Sequence, residues 1–408
     1  MDIPPDIENA LTDLPDRKKR VETRRFGPFT FRIGVEGKAL AALYQRVLDA
    51  NERFSRSPRS QVAHQLEREV VVSSIFGTNS IEGGTLTEEE TRMALELDPT
   101  RVESEEPRRV VNLKAAYDLA QSAAATPGWR LDVRFIQDVH AAITRGLSHR
   151  YNQPGRFRDN PKEFVTIVGD ANRGGRYKPP QHSHDVATLI QALVDWHAGL
   201  EGRRVPVLIR APLVRYHYEL IHPFWDGNGR VGRILEATLL QAAGFRYAPF
   251  ALARYYFDHI DAYFSLFNRC RKAAAKGVAY PHTAFVQFHL EGMRTSLNQL
   301  HDRVNQIVGL LLFESRIRRL HDEKTLNTRQ YTLLGQLLGA GRPVPLAELR
   351  RAPWYQSLYL QVTDKTRQRD LRRLRELALL IVDGRDRLWT GCAAVEDKPA
   401  DHIKIATG

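Results

Sequence analysis

Apolar residues recur along most of this chain at helical spacing. Leu40, Leu43, Val47 and Leu48 fall at i, i+3, i+7 and i+8, which predicts an amphipathic helix opening near Gly37. A second helix is predicted over Val62–Ile81, stopped by Gly83-Gly84, since glycine accepts the left-handed conformation that ends helices. Thr87-Glu88-Glu89-Glu90 reads as a capping box for the next. Arg109–Ala124, Asp132–Gly146, Asp185–Leu200, Leu213–Ile221, Val231–Ala243 and Asp258–Ala274 continue the pattern, and a long helix is predicted over Phe285–His321. Two stretches break it. Residues 1–25 read as a mobile basic arm, followed by a short strand in Phe26–Gly34. Tyr151–Gln181, rich in Gly, Pro, Asn and Arg, holds one β-like run, Phe164–Val168, and reads as a hairpin or flap.

The last part changes character. Short helices are predicted over Thr328–Leu338, Pro345–Arg350 and Thr363–Leu377, then strands over Leu379–Val382 and Arg387–Thr390 around Asp383-Gly384-Arg385-Asp386. That order resembles a winged helix-turn-helix. The predicted organisation is an arm (1–36), a helical region (37–125), a core (126–300), a linker helix (301–322), a winged-helix domain (323–395) and a tail (396–408).

Composition narrows the class. With 408 residues, 42% of them hydrophobic, the chain can bury a large core. No apolar run approaches the 18 or so residues of a membrane span, and the polar start Met1-Asp2-Ile3-Pro4-Pro5 does not read as a secretory signal. Two cysteines, Cys270 and Cys392, point away from a disulfide framework, and a cytoplasmic protein is the expectation. The net charge is +12, and residues 316–376 hold 14 Lys and Arg against 6 Asp and Glu, so +8 of it sits near the C-terminus. Lys365, Arg367, Arg369, Arg372, Arg373 and Arg375 crowd one predicted helix there, which suits DNA phosphates; interleaved acids allow plain intrahelical pairing instead. The same arrangement also serves dimerisation or target docking, which leaves a homodimer open.

Chemistry concentrates in His222-Pro223-Phe224-Trp225-Asp226-Gly227-Asn228-Gly229-Arg230-Val231-Gly232-Arg233. Asp-Gly-Asn-Gly favours a turn, and an apolar helical run follows it. A glycine-rich loop opening a helix presents backbone N–H groups and a positive dipole end to an anion. Arg230 and Arg233 share a helix face beside it, forming a polyphosphate cradle. His222 is a base available at neutral pH, and Asp226 is a hard ligand suited to Mg²⁺ on phosphates. Singly, each feature is an ordinary turn or surface residue; together they are the parts needed for attack on a phosphate. His182-x-His184-Asp185 is a weaker metal candidate, and no P-loop or kinase glycine loop is present.

The stretch is identified as the signature of the Fic family, His-x-Phe-x-Asp/Glu-Gly-Asn-Gly-Arg-x-x-Arg, matched at every fixed position. The similarity extends to Tyr216–Ile221, to Leu252–Phe267 with Tyr263 and Phe264 at paired aromatic positions, and to the flap through Pro154-Gly155, Val165, Gly169 and Tyr177, and covers roughly residues 40–300. The resemblance implies a mainly α fold: a Fic-fold helical core with a β-hairpin flap, here with a C-terminal winged helix-turn-helix. It implies an ATP- and Mg²⁺-dependent protein adenylyltransferase acting on a Tyr, Thr or Ser hydroxyl. His222 would deprotonate the hydroxyl, Asp226 would hold the metal, Gly227, Asn228 and Gly229 would form the anion hole, and Arg230 and Arg233 would bind phosphates. Tyr263 is a candidate for adenine packing, and the flap would align the target by strand addition. Thr78-Asn79-Ser80-Ile81-Glu82-Gly83 resembles the family's inhibitory signature, which implies that Glu82 pairs with Arg233 and blocks productive ATP binding. Three alternatives stand beside this: another nucleotidyl or phosphoryl transfer in the same cradle, an enzyme whose Glu82 also supports AMP removal, and a DNA-binding regulator whose Fic domain senses nucleotide.

Overall fold

The computed structural model describes residues 11, 14, 17–58 and 62–391. Pro4-Pro5, Cys392 and the 396–408 tail lie outside the described residues. The chain divides into two compact units, residues 1–57 with 63–301, and residues 58–62 with 302–408. No described helix is long and apolar enough to cross a membrane.

In the first unit a strand lies where the sequence suggests a mobile arm. Lys18–Glu22 (β1) pairs antiparallel with Pro28–Arg32 (β2), Val21 facing Phe29. The basic residues of β1 alternate towards solvent, so its composition reads as a tail. What fixes the hairpin lies 160 residues away: the Asp185 carboxylate accepts the backbone N–H groups of Arg24 (3.0 Å), Arg25 (3.0 Å) and Phe26 (2.8 Å). Phe29 and Phe31 are buried beneath. Asp185 is thereby committed to structure, and no cluster of metal-ligating side chains exists among the described residues, which corrects the metal reading of His182-x-His184-Asp185.

Helices build the rest: α1 (Gly37–Arg56), α2 (Ala63–Ile81), α3 (Glu88–Ala94), α4 (Glu105–Ala125), α5 (Val133–Thr144), α6 (Ser183–Glu201), α7 (Val207–Ile221) and α8 (Asn228–Ala242). The Thr87–Glu90 capping box forms. The helix expected at Asp258–Ala274 is α10 (Ile260–Ala275); a further helix that the sequence reading lacks, α9 (Ala248–Asp258), precedes it and ends at His259, with Pro249 in its first turn. Helix α9 lies closely against α2. A Cβ on Gly77 would meet the Ala253 carbonyl at 2.8 Å, and the Ser74 hydroxyl donates to the Phe250 carbonyl at 2.6 Å. This contact sets where the C-terminal end of α2, and so Glu82, is held.

Helix α11 (Thr283–Asp322) gives Phe285, Val286 and Leu297 to the first unit's core. The flap hairpin is β3 (Val168–Asp170) with β4 (Gly175–Tyr177), C-terminal to the expected Phe164–Val168 run. Side chains satisfy the backbone of that run instead: Asn160 donates to the Phe164 carbonyl, and Gln181 binds the Thr166 N–H (2.8 Å) and carbonyl.

The second unit contains α12 (Thr328–Ala340), β5 (Val344–Pro345), α13 (Leu346–Arg351), α14 (Pro353–Leu358), α15 (Asp364–Glu376), β6 (Leu380–Val382) and β7 (Arg387–Thr390). Its strands form a sheet in the order β5-β7-β6. Leu333, Leu334, Leu374, Leu380 and Leu388 pack with Phe313 and Ile317 of α11 as its core. Strand β5 and helix α14 are additions to the sequence reading; each is too short to show a period.

Candidate active site

Helix α7 ends at His222, which adopts a left-handed conformation (φ 51°, ψ 63°) as the chain turns towards α8. That conformation is costly for a residue with a Cβ and must be held from outside. Arg158, wholly buried, holds it. Its Nε donates to the His222 carbonyl at 2.7 Å, its Nη1 to Asn160 Oδ1 at 2.6 Å and its Nη2 to the Pro180 carbonyl, while its backbone N–H donates to the Pro223 carbonyl at 2.9 Å.

The following loop is fastened twice more. The His140 ring stacks on Phe224 with centroids 3.6 Å apart. Its Nδ1 accepts the Gly155 N–H at 2.9 Å, so Nε2 carries the proton and donates to the Asp226 carbonyl at 3.1 Å. Asn228 closes the turn on itself: its Oδ1 accepts from the Phe224 N–H (2.9 Å) and its Nδ2 donates to the Phe224 carbonyl (2.8 Å). Gly227 (φ 82°) leaves no room for a side chain, because a Cβ would lie 2.9 Å from Ile143 Cδ1. Helix α8 starts immediately after, so its first amides face the mouth of the loop.

A carboxylate already occupies that mouth. A Cβ on Gly229 would lie 2.2 Å from Glu82 Oε1, so the Glu82 side chain rests on the bare backbone of the first turn of α8. Arg233 Nη2 donates to the same oxygen at 2.7 Å. Glu82 follows the C-terminus of α2, where a negative charge opposes the dipole, and Arg233 supplies the compensation. Arg233 also donates to the Tyr263 hydroxyl (3.0 Å) and the Thr78 carbonyl (3.2 Å). Burial works against its charge, and Tyr263 and Glu82 outweigh that, raising its pKa. Tyr263 is buried, lines the cavity and serves Arg233 through its hydroxyl.

Arg230 is buried and pairs with Asp226 at 2.8 Å. Its Nε and Nη1 make no hydrogen bond among the described residues. Burial raises the Asp226 carboxyl pKa, but Arg230 more than offsets it, so the group is ionised and still partly exposed. An ionised carboxylate at the mouth of an anion site fits Mg²⁺, whose remaining ligands would be water and substrate phosphate oxygens. Burial and the nearby Arg158 push His222 down to about 3. The ring is therefore neutral at physiological pH, with one ring nitrogen free of a proton.

Glu82, His222, Gly229, Arg233 and Tyr263 line one cavity of about 320 Å³, closed on another side by Val168, Gly169 and Asp170 of the flap. Phe164, Val165 and Ile167 lie exposed in the segment leading into β3. Sequence reasoning missed Arg158, His140 and Glu219, which also lines the cavity. Each is an isolated polar residue in an otherwise unremarked stretch, with no spacing that marks it.

The model of the Fic/DOC family matches residues 130–240. The chain is 29% identical over 172 residues to a probable protein adenylyltransferase of Aquifex aeolicus, covering 39% of this chain and 49% of that protein. It is 27% identical over 181 residues to protein adenylyltransferase Fic of Nematostella vectensis, covering 44% and 39%. The chain thus spans about half or less of the length of these relatives. Among solved structures it resembles a Fic family protein from Desulfovibrio desulfuricans (TM-score 0.52, 20% identity, 86% of this chain and 95% of that one). It also resembles a Fic domain-containing signaling protein from Bacteroides thetaiotaomicron (TM-score 0.52, 17% identity, 64% and 96%). Both likenesses concern the fold.

Proposed function

Residues 130–240 of this chain are a domain of the Fic/DOC family, and from that premise we propose that the protein moves AMP from ATP to a hydroxyl side chain of a target protein. One observation carries the reading: a neutral imidazole and the buried Arg233 line one cavity at the N-terminus of α8, with Arg230 buried on the same first turn of that helix. His222 takes the proton of the incoming Tyr, Thr or Ser hydroxyl. The oxygen attacks the α-phosphorus, the bond from that phosphorus to the oxygen bridging to the β-phosphate breaks, and pyrophosphate leaves. The unbonded N–H groups of Arg230 and the fork of Arg233 take up the phosphate charge. Asp226 would hold Mg²⁺, which supplies charge neutralisation when bound. Glu82, seated on Gly229 and bonded to Arg233, fills the place of the terminal phosphate and holds the enzyme down. The family relatives named as protein adenylyltransferases support this reading.

Incubation with labelled ATP tests it. The α-label is expected to enter protein and the γ-label not, with His222→Ala lowering incorporation by about 10³-fold. Transfer of the γ-label would overturn AMP transfer in favour of phosphoryl transfer. No transfer at all, in Glu82→Gly as well, would leave a nucleotide sensor.

A second reading concerns the C-terminal unit, which we read as a winged helix that binds DNA. Lys365, Arg369, Arg372 and Arg375 form an exposed stripe on α15, while Asp370 on its opposite face is buried and occupied by Arg329 and Gln330. The helix's cations therefore face outward with one carboxylate withdrawn from them. Binding to a mixed-sequence duplex should weaken with salt, with a slope of log K on log salt of about −3 to −4 for three or four phosphates. Failure to bind at 50 mM salt, or equal binding after charge reversal at Arg369 and Arg372, excludes this interface.

A further inference from the structure

Three aromatic rings from three separate segments meet at the rim of the catalytic loop. Trp225 lies between the buried Phe224 and Asp226. Its ring stands 5.1 Å from that of Tyr151 and 5.5 Å from that of Phe164, and those two are 5.9 Å apart. None of the three is buried, and Phe164 is 44% exposed. Val165 and Ile167 follow it into solvent at 48% and 56%. The run is not loose: Gln181 binds the Thr166 N–H and carbonyl, and Asn160 Nδ2 donates to the Phe164 carbonyl. These bonds fix it with its apolar groups outward, and clustered exposed apolar groups mark an interaction surface.

The charge around this cluster is in excess of one sign. Residues 145–178 hold eight Lys and Arg against three Asp and Glu, a balance of +5. Arg150 lies over the Tyr151 ring, 5.0 Å from its centroid, and Lys162 is exposed two positions before Phe164. Neither forms an ion pair among the described residues. Of the three acids, Asp159 lies 3.8 Å from His182 Nδ1 and Asp170 accepts the Asn172 N–H, which leaves Glu163 as the acid beside the cluster in sequence. Asp226, the next carboxylate along the loop, is tied to Arg230.

We propose that this rim selects the target: it takes an extended, acidic segment that sets one large apolar side chain against Trp225, Tyr151 and Phe164, close to the hydroxyl to be modified. The inference rests on the AMP-transfer reading and names its substrate class. The spacing follows from the chain itself. His222 and Trp225 are three residues apart, so their Cα atoms lie at most about 10 Å from each other. An extended target rises about 3.3 Å per residue, so its apolar residue stands within about three positions of the hydroxyl. The rings supply most of the preference, because they bury a large area with few rotors to freeze. The cations steer acidic side chains to the rim and, being exposed, act weakly and in a salt-dependent way.

Peptide scanning with the full chain carrying Glu82→Gly, and with α-labelled ATP, tests this. Each peptide holds one hydroxyl, as Tyr, Thr or Ser, among varied neighbours. Peptides with Phe or Leu within about three positions of the hydroxyl should be labelled about 10-fold better than those with Gly there. Asp-rich flanks should be labelled about threefold better than Lys-rich ones at about 50 mM salt, a difference lost at about 0.5 M. Tyr151→Ser with Phe164→Ser should cut the apolar preference below about twofold through KM for the peptide, with KM for ATP within about twofold of the parent. Arg150→Glu with Lys162→Glu should reverse the flank preference. Labelling that ignores the neighbours, or preferences untouched by both double variants, overturns the proposal, as does failure to label any peptide while the parent modifies itself. Self-association of the chain that Tyr151→Ser with Phe164→Ser abolishes would give the cluster to a second copy and overturn it too. Absence of all AMP transfer from the Glu82→Gly parent, to itself included, sinks the AMP-transfer reading, and the proposal with it.

Discussion

Glu82→Gly is expected to raise AMP incorporation, read as automodification or transfer to a target in cell extract, by about 100-fold over the wild-type chain. The size follows from what Glu82 occupies. Its carboxylate lies on the first turn of α8 and takes Arg233 Nη2 at 2.7 Å. A terminal phosphate arriving there meets a negative charge in place of a guanidinium. Restoring one charge-assisted arginine contact in a partly buried site is worth about 2.7 kcal/mol, the equivalent of 100-fold. The same substitution should cost resting stability. Arg233 is 3% exposed and loses its anionic partner, whereas Glu82, at 28%, is already partly in solvent. The loss is then about 1–2 kcal/mol, below the full cost of breaking a buried pair. Saturating ATP should recover more of the melting temperature in the variant than in wild type, because the phosphates replace the missing carboxylate. An unchanged rate, with melting equally insensitive to ATP in both proteins, rejects autoinhibition by Glu82.

The parts of this site that were readable in advance are those where chemistry and period coincide. The loop from His222 to Arg233 compresses base, carboxylate, turn and arginines into twelve positions ahead of an apolar helix, and no ordinary surface turn needs that set. The long helices declared themselves because each buries a stripe every three to four residues. Glu82 and Arg233, 151 residues apart, are different: the physics at Glu82 called for a compensating cation, and only the family resemblance pointed to which one. What stayed hidden was held by distant single contacts. Lys18–Glu22 looks like a charged tail because the Asp185 clamp on its hairpin is remote in sequence. Helix α9 was lost because Pro249 and two tyrosines disguise its start and its apolar face. Arg158 and His140 position the loop that follows His222, yet a lone arginine in a polar stretch and a lone histidine on an apolar helix carry no pattern at all.

Those lone histidines have a consequence for stability that is large and has a definite sign. His140, His197 and His217 are essentially fully buried. Burial pushes His140 down to about 4 and His217 to about 3. Burial and the Arg210 guanidinium, 3.2 Å away, push His197 down as well. In the unfolded chain each titrates near 6.5. His222, down to about 3, behaves alike, so between about pH 6.5 and pH 4 the unfolded state binds four protons that the folded state refuses, and stability falls as pH falls. Glu219 works the other way. Its folded pKa is raised, so the folded state holds one extra proton between about pH 7 and 4.5, and its contribution grows on acidification. The balance is about three protons, or about 4 kcal/mol lost per pH unit near pH 5.5, and about 5 kcal/mol between pH 7 and pH 5. For a domain whose stability is ~5–15 kcal/mol, that is a substantial share. Urea unfolding of the full chain at pH 7 and pH 5 should show the midpoint falling accordingly, and Glu219→Gln, which removes the opposing proton, should steepen the fall. A midpoint that stays flat to pH 5 means the four rings are not held neutral, and in particular that His140 does not keep its Nδ1 free for the Gly155 N–H on which the geometry of the loop depends.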